Sequence, residues 1–282
     1  MTNNAGTTLS QPGLHNAETL LATQRSLPIH VCTARKQSKL LPLLILCVTL
    51  PSAALAQTIP TEYTLLGVGL RTRPAYDGSS SQTMDLVPLL RYYGKHLFAR
   101  TTQGVLEGGA RWQLAPGLNA GVQLAYEESR ETDESKLLES LALDDIDAGA
   151  SVGGHIEWDF TVGPAPISLL GRVRKHVDSS RGEQADARVT AGLYGAGPVV
   201  VAAIAQATWA SPKSIESFYA VTDVDSRFLH TTLGLVGSCD LSRHWTAVGG
   251  VQSRQLQGDA VRSVIVEKKS SYTATVGLAY RF

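Results

Sequence analysis

The segment Tyr272–Phe282 alternates without a break. Tyr272, Ala274, Val276, Leu278, Tyr280 and Phe282 are apolar or aromatic, and Thr273, Thr275, Gly277, Ala279 and Arg281 between them are small or polar. A period of two puts one set on each face of a β-strand. Two architectures accept such a strand. In a soluble sandwich it faces a core and water; in a closed membrane barrel it faces lipid and a lumen. An apolar content of 43% is that of an ordinary globular protein and does not separate them. The rest of the chain has to.

Residues 35–56 read as a secretory signal. Arg35, Lys36 and Lys39 open it, Leu40–Leu50 is its apolar centre, and Ala54-Leu55-Ala56 offers an A-x-A cleavage site before Gln57. The apolar run is shorter than the about 20 residues of a bilayer-spanning helix. A lipoprotein signal ending at Cys47 is excluded because Leu46 stands where a small residue is needed. Cleavage removes Cys32 and Cys47 and leaves Cys239 alone, a small residue at a strand end, so no intrachain disulfide is expected. Residues 1–34 are a polar, aperiodic extension, consistent with a translation start downstream of Met1. N-terminal sequencing of the uncleaved precursor reads that directly. Residues 1–56 hold Arg25, Arg35, Lys36 and Lys39 against Glu18, which leaves 57–282 slightly acidic. Nothing there suggests nucleic-acid binding.

Residues 57–282 repeat the alternation in about twelve segments, many near the roughly 9–11 residues of a tilted membrane-spanning strand. Tyr63–Arg71 opens the series. Leu86–Tyr92 contains Pro88, which argues for an irregular or edge-like strand. Leu97–Arg100 is short. Leu106–Leu114, Leu118–Tyr126, Ala148–Phe160, Ile167–Val173, Ala187–Gly195, Val199–Trp209, Phe228–Ser238 and Trp245–Leu256 follow before the terminal strand. Connections near 93–95, 115–117, 161–165, 196–198 and 239–243 are short; those near 72–83, 129–146, 178–186, 210–226 and 257–270 are long, with 102–104 the short exception. Short turns at one rim and long loops at the other are the habit of bacterial barrels.

Aromatics fall at both ends of these segments: Trp112, Trp158, Phe160, Trp245, Tyr280 and Phe282 by the short turns, Tyr126, Trp209 and Tyr272 by the long loops. Such rings form interfacial girdles in membranes. A helical membrane protein is excluded, since the mature chain lacks a run of about 18 apolar residues. The expected fold is all-β, an antiparallel transmembrane β-barrel of the bacterial outer membrane with about 12 strands over 57–282. Both mature termini are expected on the periplasmic side, in contact with outer-membrane lipid and lipopolysaccharide.

Catalytic, cofactor and metal motifs are absent from the sequence: no zinc-ligand spacing, no G-x-S-x-G and no G-x-x-x-x-G-K. A barrel lipase would need a serine with a histidine base; His176 precedes Asp178-Ser179-Ser180, but no orienting third group is marked. A barrel protease would need paired carboxylates and a histidine, and Asp144-Asp145 has no matching histidine. The acidic stretch Glu127–Asp147 could hold divalent cations near lipopolysaccharide; a solvated outer loop with a helical turn around Lys136–Leu141 is the simpler reading. On the lumen side, His155, Glu157 and Asp159 of one strand should meet Arg172 and Arg174 of the next, with Glu107, Arg111, Arg188, Arg254 and Arg281 also inward. Such charges either tune a pore or satisfy one another across strands. Mixed signs favour the second, and with it a narrow or self-plugged lumen.

Several short segments, in order, carry a family resemblance. Tyr76-Asp-Gly-Ser79, Leu143-Asp-Asp-Ile-Asp-Ala-Gly149, Ser217-Phe-Tyr-Ala-Val-Thr222, His244-Trp245, Gly258-Asp-Ala260, Ser263-Val-Ile-Val266 and the closing Tyr-Arg-Phe282 resemble the motifs of the MipA/OmpV (MltA-interacting) outer-membrane proteins, over roughly Tyr63–Phe282. Ala220 departs from the family's usual Gly, and Val261-Arg262 interrupts a stretch that is normally small or acidic. The resemblance implies a non-enzymatic barrel that acts as a scaffold in peptidoglycan metabolism. Its implied partners are a lytic transglycosylase and a penicillin-binding synthase, met at the periplasmic face. A small-solute or antibiotic-permeable channel is the alternative. A terminal aromatic preceded by alternating apolar positions also resembles the signal read by the barrel-assembly machinery, which assigns Tyr280 and Phe282 to that role. Deleting Phe282, or Tyr280→Asp, is expected to block outer-membrane insertion while leaving export intact; fractionated envelopes with normal levels of either variant would refute it.

Overall fold

The computed structural model describes residues 64–282 apart from 128 and 142. The expected signal, the extension before it and the segment Gln57–Glu62 lie outside the described residues. Twelve antiparallel strands close into one barrel. They are β1 (Leu65–Pro74), β2 (Gln82–Tyr93), β3 (Leu97–Thr102), β4 (Val105–Ala115), β5 (Leu118–Glu127), β6 (Gly149–Val162), β7 (Ala165–His176), β8 (Glu183–Ala196), β9 (Val199–Ala210), β10 (Phe228–Asp240), β11 (Trp245–Leu256) and β12 (Ser270–Arg281). Each pairs with its sequence neighbours, and β12 returns to β1 from Leu65↔Arg281 to Thr72↔Ala274.

The choice between sandwich and barrel is settled by which face is apolar. Leu66, Val68 and Leu70 of β1 and Tyr272, Val276 and Leu278 of β12 point outward and are exposed, whereas Arg71, Arg100, Glu107, Arg172, Arg174 and Asp186 are buried inside. A soluble protein would bury the first set. Exposed around a whole barrel, these side chains make an apolar belt far beyond the patches that monomers leave in water. Lipid is the solvent that this surface fits.

The short rim uses tight hairpins. Gly163-Pro164 and Gly197-Pro198 each join two strands, and both glycines hold the positive φ (58° and 57°) that the first position of a primed two-residue turn requires. Aromatic pairs gather at this rim, with Trp245 and Phe282 each 5.3 Å or less from Tyr280 and Trp158 at 4.7 Å from Phe160. Pro88 sits in a regular β2, on a stretch that pairs with β1 while the opposite edge has no described partner. An edge is where a residue without an N–H belongs.

The long loops are folded. The helical turn expected near Lys136–Leu141 is α1 (Lys136–Ser140), which buries Leu138 completely against Ala75, Tyr76 and Ile265. The stretch 210–226, expected as a loop, contains α2 (Pro212–Tyr219). Its signals are local: Ser211 caps the Ser214 N–H, Pro212 fills the first turn, and Ile215, Phe218 and Tyr219 recur at helical spacing. The helix ends on Ala220 in the left-handed conformation (φ 50°), a position that suits glycine. Ile215 and Tyr219 pack with Val221, Leu229, Leu256 and Ala260 in a second small core.

Polar bonds tie these pieces into a cap. Tyr76 Oη donates to the Ile265 carbonyl at 2.8 Å, Arg130 to the Phe218 carbonyl at 2.6 Å, and Ser263 to the Tyr219 carbonyl. Ser80 donates its N–H and its hydroxyl to Glu267, both at 2.9 Å, holding that carboxyl below its ordinary value. The segments that carry the family resemblance, 76–79, 143–149, 217–222, 258–260 and 263–266, converge largely on this cap.

Candidate functional site

Alternation sends every second side chain inward, and in the middle of the lumen these are charges in alternating sign. Glu107 of β4 is the hub, 1% exposed. Its Oε1 accepts from Arg100 Nε at 2.5 Å and Thr102 Oγ1 at 3.0 Å; its Oε2 accepts from Arg172 at 2.7 Å and Gln123 at 3.0 Å. Arg172 also donates twice to Asp186, at 2.9 and 2.7 Å. Asp186 in turn accepts from Thr208 at 2.8 Å and Gln206 at 3.2 Å. Arg100 reaches on to Glu157 at 3.4 Å, and Arg174 bonds Glu127 and Gln184. With Arg174 also 3.5 Å from Asp186, the chain Glu157–Arg100–Glu107–Arg172–Asp186–Arg174–Glu127 partitions the β3 to β8 side of the interior.

The expected lumen residues all point inward, but they do not form one cluster. His155 lies opposite Arg172 in the ladder and edge-on to Phe98 at 5.1 Å. Gly121 makes room for it, since a Cβ there would meet the His155 ring at 2.5 Å. Glu157 lies opposite Leu170 and pairs with Arg100 instead of an arginine of β7. Asp159 lies lower still, opposite Ser168, in a cavity of about 370 Å³ that it shares with Arg91, Tyr93 and Arg111. Arg172 and Arg174 belong to the partition. Arg100 and Asp186 escape a reading of the sequence for a physical reason: β3 is too short to show a period, and the polar start of β8 looks like the end of a loop.

On the long-loop side of the partition lies a cavity of about 250 Å³, lined by Arg172, Arg174 and Asp186 and by the cap residues Tyr76, Asp77, Arg130 and Tyr219. Burial would raise the Asp77 carboxyl, but Arg254, 2.7 Å away, outweighs it and holds the group below its usual range. Burial and that carboxylate push the Tyr219 phenol well above its ordinary value. The hydrolase candidates are not assembled. Ser180 Oγ bonds Asp178 at 2.7 Å, while His176 packs against Phe218 at 5.7 Å. The acidic loop is stapled, not open: Asp145 accepts from Thr132 N and Oγ1, both at 2.7 Å, and Glu134 meets Arg73 at 3.2 Å. Among the described residues, no group of three or more His, Cys, Asp or Glu is placed to hold a metal ion.

Removing one member of a buried ion-pair network strands the charges left behind. Glu107→Leu is expected to lose about 3 kcal/mol of barrel stability, the low end of the usual range because Arg172 retains Asp186. Glu107→Gln, which keeps the shape, should lose less. Urea unfolding in lipid vesicles, followed by tryptophan fluorescence, measures both; a wild-type midpoint for Glu107→Leu would contradict the assignment.

Among solved structures, the NanC porin matches with 11% identity over 77% of this chain and 100% of that one, at a TM-score of 0.49. An outer-membrane channel of Pseudomonas putida F1 matches with 11% identity over 80% and 98%, at 0.42. OmpT of Vibrio cholerae matches with 8% identity over 78% and 96%, at 0.41. Among curated protein sequences none matches. The sequence profile described as "MltA-interacting protein MipA" matches residues 66–282, the whole described barrel but for its first residues, and the chain belongs to that family.

Proposed function

We propose that this barrel is a non-enzymatic scaffold of the outer membrane that binds a lytic transglycosylase at its periplasmic face and, through it, a penicillin-binding synthase. The family's description as MltA-interacting supports the first partner. The observation that carries the reading is the partition, whose inward charges are spent on one another between Arg100, Glu107, Arg172 and Asp186. A barrel filled this way suits a structural anchor better than a conduit. With both termini periplasmic, the binding face is the short-turn rim, centred on Leu114–Leu118 and Asp240–His244.

These turns are small, and a stable interface buries about 1,200–2,000 Å² in total. Several turns must therefore be engaged together, or the residues before β1 must contribute. The channel reading draws on the cavities above and below the partition, near Asp77 and Asp159. It requires the arginines between them to move aside.

Affinity capture from solubilised envelopes separates the two. The tagged mature chain should enrich a murein hydrolase over an unrelated barrel, and replacing Leu241–His244 with a Gly-Ser turn should abolish that enrichment. Equal recovery on the unrelated barrel would overturn the scaffold reading.

A further inference from the structure

One junction in the barrel wall is incomplete. β2 pairs with β1 along its length, from Leu65↔Arg91 to Pro74↔Gln82, but it meets β3 only at Arg91↔Arg100, Tyr92↔Ala99 and Tyr93↔Phe98. The β3–β4 hairpin has turned back by Gln103-Gly104. Among the described residues, no strand pairs with the far edge of Gln82–Leu90. That edge lies at membrane depth, since Met84 and Leu86 beside it are 66% and 71% exposed and face outward with Val68 and Leu70 across the β1 ladder. Unpaired backbone is tolerated at that depth only where it is covered by protein or lines a cavity.

A cavity lies behind it. About 340 Å³ in volume, it is walled by Val87 and Leu89 of β2, Val200 and Ala202 of β9, Val236 of β10 and Val248 of β11, and it extends to Leu90, Thr101 and Gly104 at the gap. Its character is opposite to that of the partition. Apolar side chains and glycines make up most of the wall, and its polar groups include Arg71, Arg91, Ser238 and the Gln103 side chain, which donates to Gln252 at 3.0 Å beside Thr273 and Thr275. The valine, leucine and alanine stretch of that wall offers a hydrated solute nothing to bond. An apolar cavity of ~150 Å³ already takes up benzene, and this one is over twice that size.

We propose that this chamber binds a single-chain amphiphile, one acyl chain with a hydrogen-bonding head, and that the ligand enters sideways from the bilayer through the gap between β2 and the β3–β4 hairpin. The chain lies among the valines and Leu89. The head meets the β2 edge and the Gln103–Gln252 pair. The site goes beyond the scaffold reading and stands without it: the chamber wall reaches down to Val200, Ser238 and Ala279 near the short rim, but none of the turn residues Leu114–Leu118 or Asp240–His244 lines it.

The test uses the mature chain in amphipol with radiolabelled dodecanoate, and separately a lysophospholipid of the same chain length. Saturable binding of either, near one per barrel, is expected. Ala202→Phe and Val236→Trp, which fill the chamber from two different strands, should each weaken it by at least about tenfold. Val173→Phe, on the outer face, should not, and heat-modifiable migration confirms that all three fold. Binding undiminished in both chamber variants, or no saturable binding of either probe, overturns the proposal. The route is tested in a Cys239→Ser background with Leu90→Cys and Thr101→Cys, the positions that would pair next in the β2–β3 ladder. An oxidised cross-link should slow dodecanoate uptake by at least about tenfold and reduction should restore it; equal rates in the two states overturn entry through the gap.

Discussion

A backbone in lipid has no water to bond, so each strand in the apolar belt needs a partner on both sides. In this chain the ladder joining the last strand to the first, from Leu65↔Arg281 to Thr72↔Ala274, meets that condition for β1 and β12, and the Gln82–Leu90 edge of β2 is the exception. Once it forms, the alternation of every strand acquires a single meaning, with lipid outside and lumen inside. Arg281 illustrates the result at the rim, where it turns inward to Asp240 and Thr246 while Tyr280 and Phe282 stay on the outer side. A shift of one residue in that register would exchange the two faces. The closing strand is thus the element on which the assignment of all the others depends.

Closure fixes the direction of each side chain and leaves open what fills the space. Here the inside has two characters. Around β3 to β8 the residues are charged, and each acid sits between donors, as Glu107 does between Arg100 and Arg172. On the side of β1, β2 and β9 to β12 one cavity is walled largely by valine, leucine, alanine and glycine, with Arg71 and Arg91 among them, and it reaches the incomplete β2–β3 junction. The cap covers the long-loop rim with small cores of its own, tied to the barrel through Arg254 and Asp77.

Much of this was legible in the sequence, because a period of two is a strong signal when repeated. The strand set, the contrast of the rims and the inward placement of His155, Glu157, Asp159, Arg172 and Arg174 all follow from alternation alone. What alternation cannot say is which charge meets which. Glu157 finds Arg100, from a strand too short to be periodic, and Arg172 bridges to Glu107, from a strand that is not its neighbour. α2 was legible in principle through Ser211-Pro212, but its role depends on Leu229 and Leu256, distant in sequence. The gap beside β2 had one local sign, Pro88. Its connection to an apolar chamber is a property of the closed barrel.

The ion-pair chain through Glu107 obstructs the lumen on the side of β3 to β8. Single-barrel conductance in a planar lipid bilayer tests it most directly. The purified mature protein should show no large, stable open state at neutral pH, and Glu107→Ala combined with Arg172→Ala should raise conductance above that baseline. Large and stable openings of the wild-type barrel would contradict the account.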